Sequence, residues 1–162
     1  MNKDRTQVHK EALQALDENN GIGTLNIETG LGKSKIVIDF LFNKLKTGDT
    51  VLILVPVTKL INNWVDEFEK WTCCHYDFSS QCITMVIRNG NIKIYLETVQ
   101  TAYKWTDKSY TLTVYDEIHT MVTEEYHQAI KIESTFKIGL TATTDVVGRT
   151  DKREIYNTYC PI

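Results

Sequence analysis

The 162 residues carry 18 basic and 21 acidic side chains, a net charge of −3, and 42% of them are apolar. That length suits one domain with its own core, and no apolar run approaches the roughly 20 residues that span a bilayer or follows Met1 as a signal peptide would. Charge is also even along the chain, nine basic and ten acidic groups over 1–71 and nine and eleven over 72–162, without the basic excess of a non-specific polyanion binder, so any nucleic-acid contact is expected from a few placed groups.

Residues 6–17 place Val8, Ala12, Leu13 and Leu16 on one helical face. Asn19, Asn20, Gly21 and Gly23 break the chain, and Thr24 to Ile27 reads as a short strand. A second helix carries the stripe Ile36, Val37, Phe40, Leu41, Leu45 and stops at Thr47-Gly48-Asp49. Residues 51–55 (VLILV) are apolar on both faces, the habit of a parallel strand covered on both sides. After Pro56, an amphipathic helix is expected from Leu60, Ile61, Trp64, Val65, Phe68 and Trp71.

Strands are expected again at 83–87, 93–97, 112–115 and 137–141, the first two joined as a hairpin through Asn89-Gly90. Short helices fill 98–105 and 123–132. Strands alternating with helices predict a single α/β domain, with a mostly parallel sheet and helices on both faces. The cysteines 73, 74, 82 and 160 read as reduced thiols. Cys73, Cys74, His75 and Cys82 lack the C-x₂-C spacing of a zinc site and read as a loop or core edge.

Two segments carry chemistry. Between a strand and a helix lies Thr29-Gly30-Leu31-Gly32-Lys33-Ser34. Backbone N–H groups and the positive end of a helix cradle phosphate at such a place. The glycines let the backbone wrap the anion, Lys33 supplies a charge to the β/γ-phosphates, and Ser34 supplies a hydroxyl for Mg²⁺. The full G-x-x-x-x-G-K-S/T pattern is not met, because Ile27 stands where its first glycine belongs. The second segment, LTVYDEIH over 112–119, is an apolar strand ending in two carboxylates. Ligands of open α/β sheets bind outside the carboxyl ends of the strands, so Asp116 and Glu117 should emerge where the phosphate loop points. Asp116 then suits the metal and Glu117 the orientation of an attacking water.

The order of segments resembles the first RecA-like domain of superfamily 2 helicases and translocases. IETGLGKS resembles motif I, VLILVPVTKLINNW motif Ia, IYLETVQTAY motif Ib, YDEIH motif II of the DEAH or DExH kind, and IGLTATT motif III. RTQVHKEAL resembles the base-reading R-x-x-Q segment, with His9 where the glutamine is expected and Gln7 two positions earlier. The resemblance implies a P-loop ATPase that uses ATP and Mg²⁺. In it, His119, Thr141 and Thr143 couple the nucleotide site to nucleic acid. Pro56, Thr58, Lys59, Thr98 and Gln100 would touch the sugar-phosphate backbone, DNA rather than RNA; helix capping by Thr58 and Thr98 is the plainer alternative.

The implied partners are single-stranded or duplex nucleic acid and a second RecA-like domain in cis or trans. That second domain, whose motif VI arginine reaches the γ-phosphate, is not recognised in the 162 residues, and Gly148-Arg149 reads as linker. Slow hydrolysis by the chain alone is therefore expected. An intracellular setting is implied, cytoplasmic or with the nucleoid or nucleus, and the abundance of Ile, Lys, Asn and Thr suits an AT-rich genome such as a viral one. A binding module without turnover and a P-loop enzyme outside the helicases are the competing readings.

Overall fold

The computed structural model describes residues 5–27, 32–105 and 107–141. In chain order these form α1 (Arg5–Glu18), β1 (Ile22–Asn26), α2 (Lys33–Lys44), β2 (Thr50–Val55), α3 (Lys59–Trp71), β3 (Cys74–Asp77), β4 (Cys82–Ile87), β5 (Gly90–Thr98), α4 (Val99–Ala102), β6 (Ser109–Asp116) and β7 (Glu133–Thr141). Short 3₁₀ segments at Ile118–Thr120 and His127–Lys131 lie between β6 and β7.

Among the described residues the strands make one seven-stranded sheet in the order β1-β7-β6-β2-β5-β4-β3. β1, β7, β6, β2 and β5 are mutually parallel; β4 pairs antiparallel with β5, and β3 antiparallel with β4. β2 shows why both faces must be covered. Val51, Ile53 and Val55 pack into one apolar cluster with α1, α2 and α3, while Leu52 and Leu54 pack into a second with α4 and the 3₁₀ segments. All five are fully buried, and each such side chain contributes about 1.5–3 kcal/mol through removal from water. The expected α/β architecture with helices on both faces is thus present.

Local differences have local causes. β1 begins two residues before the expected strand, as Ile22 already pairs with Lys137 of β7. The hairpin turn falls on Arg88-Asn89, because Ile87 pairs directly with Gly90. Gly90 has φ 154°, and a Cβ there would meet Thr47 Oγ1 at 2.5 Å, so the strand start tolerates no side chain. The helix expected over 98–105 is the single turn α4, and that over 123–132 is a 3₁₀ segment. Edge strand β3, placed in a loop or core edge by the sequence, pairs with β4 from Cys74↔Met85 to Asp77↔Cys82. Trp71, grouped with the apolar stripe of α3, instead stands 45% exposed under the ammonium groups of Lys35 and Lys70, each 4.9 Å from its ring centroid.

Candidate nucleotide site

The carboxyl ends of β1, β7, β6, β2 and β5 lie side by side along one edge of the sheet. α2 starts there. Its first flanking residue, Gly32, has φ 82° and ψ 40°, a left-handed conformation that a side chain would strain. Lys33 and Ser34 follow in the first turn, where unpaired backbone N–H groups favour an anion. Asp116 closes β6 and is 8% exposed. Glu117 sits just past the strand in a left-handed conformation (φ 54°, ψ 51°), unusual for a residue with a side chain. Thr120 holds that turn, donating to the Glu117 carbonyl from its backbone N–H at 2.9 Å and from its hydroxyl at 2.8 Å.

The turn points Glu117 at the helix. Lys33 Nζ donates to Glu117 Oε1 at 3.0 Å, joining two residues 84 positions apart. His119 sits on the other carboxylate oxygen, Nε2 3.5 Å from Glu117 Oε2, and its Nδ1 is 2.9 Å from Thr141 Oγ1. The turn after β6 and the end of β7 are therefore in contact through one imidazole. Burial pushes the Asp116 carboxyl above its ordinary range, against the opposing pull of the Trp64 N–H and the Lys33 charge. Trp64 Nε1 donates to Asp116 Oδ2 at 2.9 Å.

Lys33, Ser34, Trp64, Asp116, Glu117 and His9 line one cleft of about 740 Å³, large enough for a nucleotide. Ser34 and Asp116 present a hydroxyl and a carboxylate to this cleft, the hard oxygen donors that a magnesium ion takes. A resident Mg²⁺ therefore fits the side chains present.

His9 departs from the base-reading pattern in its contacts too. Its Nε2 lies 2.5 Å from Asp39 Oδ2, which also accepts from Lys35 Nζ at 3.1 Å. Gln7 is exposed and reaches Glu11 along the helix. Thr29, Gly30, Leu31 and Thr143, with Gly148-Arg149, lie outside the described residues.

The residues expected to meet nucleic acid fall on the neighbouring strand ends. Pro56, Thr58 and Lys59 follow β2, and Thr98 and Gln100 close β5 and enter α4. These strands are one and two places from β6, about 5 and 10 Å along the sheet edge. Thr58, Lys59 and Gln100 are exposed, whereas Thr98 is 9% exposed, its hydroxyl 3.2 Å from that of Thr101. Thr58 and Thr98 stand at the N-cap positions of α3 and α4, without a side-chain cap hydrogen bond.

The model of the family described as type III restriction enzyme, res subunit, matches residues 1–146. The chain belongs to that family. Solved structures share the fold. The Sulfolobus solfataricus SWI2/SNF2 ATPase core in complex with dsDNA is 19% identical at a TM-score of 0.66, over 96% of this chain and 34% of its own. The UvsW helicase from bacteriophage T4 is 17% identical at 0.65, over 96% and 58%. The Pyrococcus furiosus Hef helicase domain is 21% identical at 0.61, over 93% and 36%. The res-family chain thus spans about a third to three fifths of those proteins, and its fold is the RecA-like domain of superfamily 2. None of the curated proteins matches it. No helix among the described residues is long and apolar enough to cross a membrane.

Sequence reading missed the part played by Trp64, which it placed only in an apolar stripe. Its acceptor lies 52 positions away, and no local pattern signals such a contact.

Proposed function

We propose that this domain binds ATP with Mg²⁺ between the start of α2 and the end of β6, and drives a helicase or translocase acting on DNA. The observation that carries this reading is the 3.0 Å contact of Lys33 Nζ with Glu117 Oε1, in the same cleft as Ser34 and Asp116. An amine, a hydroxyl and two carboxylates converge there beside a helix N-terminus, which is the equipment of phosphoryl transfer to water.

The roles divide by environment. Lys33 leaves Glu117 and neutralises the β/γ-phosphate oxygens. Ser34 and Asp116 would hold the magnesium ion, which when bound screens the charge building on those oxygens. Glu117, released from Lys33, orients water for in-line attack on the γ-phosphate and accepts its proton. His119 holds Glu117 against Thr141, a path from the nucleotide to the β7 end.

Pro56, Thr58, Lys59, Thr98 and Gln100 would grip the sugar-phosphate backbone without reading sequence. DNA as the polymer is supported by the dsDNA in the SWI2/SNF2 core complex. A second RecA-like domain, in cis or trans, would supply the arginine whose loss costs roughly 10³–10⁵ in rate.

The test is a titration of the chain with a fluorescent ATP analogue, with and without single-stranded DNA. Binding by wild type, weakened at least tenfold by Lys33→Ala, supports the proposal. Equal affinity for the two proteins overturns it, and so does multiple-turnover hydrolysis that Glu117→Gln leaves unchanged.

A further inference from the structure

Trp64 lines the cleft, and the motif comparison gives it no task. It lies midway along α3, 4% exposed, with its ring near Phe68 at a centroid distance of 6.3 Å. Packing explains a large apolar side chain there. It does not explain an indole, whose one polar atom must find an acceptor when buried. That acceptor is Asp116 Oδ2 at 2.9 Å, on a carboxylate itself almost wholly buried.

The direction of this bond is unambiguous, because indole N–H only donates and a carboxylate oxygen only accepts. Its geometric effect is equally definite. The terminal torsion of an aspartate is broad and loosely two-fold, so a buried carboxylate without a fixed donor samples many planes. A ring clamped by α3 cannot follow such rotation. With Oδ2 tied to Trp64, and the Glu117 backbone N–H also donating to the carboxylate, the carboxylate plane is set where Asp116 lines the cleft.

We infer that Trp64 is a positioning residue that orients the Asp116 carboxylate for the divalent metal of the nucleotide. The inference rests on the proposed role of Asp116 as a metal-holding carboxylate. Donors that orient a metal-binding group typically change metal affinity by roughly 10–100-fold when removed.

The experiment measures nucleotide affinity against Mg²⁺ concentration for wild type, Trp64→Phe, Asp116→Asn and the double variant. Trp64→Phe keeps a ring and removes the N–H. It should raise the Mg²⁺ needed for half-maximal tightening by roughly tenfold or more and leave metal-free nucleotide affinity unchanged. Added to Asp116→Asn, it should do nothing further. Trp64→His, which restores a ring N–H, should recover part of the loss. A parallel fall in metal-free affinity would reduce Trp64 to a packing residue and overturn the inference. An unshifted Mg²⁺ curve in Trp64→Phe would overturn it while leaving the nucleotide site standing. Wild-type binding indifferent to Mg²⁺ would remove the metal role of Asp116 itself.

Discussion

Glu117→Gln should tighten nucleotide binding while abolishing turnover. In the present arrangement Lys33 is already paired, its Nζ 3.0 Å from Glu117 Oε1, with the two side chains 19% and 29% exposed. An incoming triphosphate must take the ammonium from the carboxylate and also tolerate that carboxylate's negative charge. A partly exposed ion pair is worth up to about 1 kcal/mol. Replacing the carboxylate by an amide removes most of it at little cost in shape, and 1 kcal/mol is about a fivefold change in affinity. The same substitution removes the proton acceptor, which general-base catalysis values at roughly 10²–10⁴ in rate. Titration of a fluorescent ATP analogue measures the first effect and phosphate release the second. In a Lys33→Ala background the affinity gain should shrink, because the displaced partner is gone. Weaker binding by Glu117→Gln, or the same gain with and without Lys33, would refute the reasoning.

Two further outcomes follow from the same geometry. Asp116→Asn should raise the melting temperature at pH 7. Burial lifts the folded-state pKa of Asp116 above its unfolded value, so its ionised form costs stability at neutral pH. That cost fades as pH falls through the raised pKa, and the advantage of Asn should vanish near the unfolded value of about 3.9; thermal melts across pH measure it. Tyr115→Phe should lower stability by about 1–2 kcal/mol, or roughly 3–6 °C. The Tyr115 hydroxyl donates to the Ala129 carbonyl at 2.9 Å inside the core, and calorimetry reads the loss directly.

Which features were legible in the sequence follows from the range of the forces involved. VLILV announced a strand buried on both faces because its alternate residues enter two separate cores. Gly32-Lys33-Ser34 and Asp116-Glu117 stood out because each pairs a residue set suited to anions or cations with a strand end, a position local sequence reveals. The convergence of Lys33 on Glu117 was legible through topology, since both follow strands whose carboxyl ends share an edge. Trp64 and Asp116 were each visible and their bond was not. Hydrophobic periodicity counts an indole as apolar and ignores its N–H, so an acceptor 52 positions away leaves no trace. Trp71 failed for the same reason in reverse: its ring is held at the surface by Lys35 and Lys70, with its N–H on Glu67 Oε2 at 2.8 Å. The antiparallel strand Cys74–Asp77 escaped because its alternating intermediate and exposed residues give an edge strand little apolar signature.

The most direct measurement is a crystal structure of the chain with Mg²⁺ and a non-hydrolysable ATP analogue. The terminal phosphates should lie within hydrogen-bond reach of Lys33 Nζ. A magnesium ion should be bound to the Ser34 hydroxyl and to Asp116, directly or through one water, with Glu117 turned away from Lys33 toward the γ-phosphate. A nucleotide seated elsewhere, or one whose phosphates leave the Lys33–Glu117 pair intact, would contradict the proposed function.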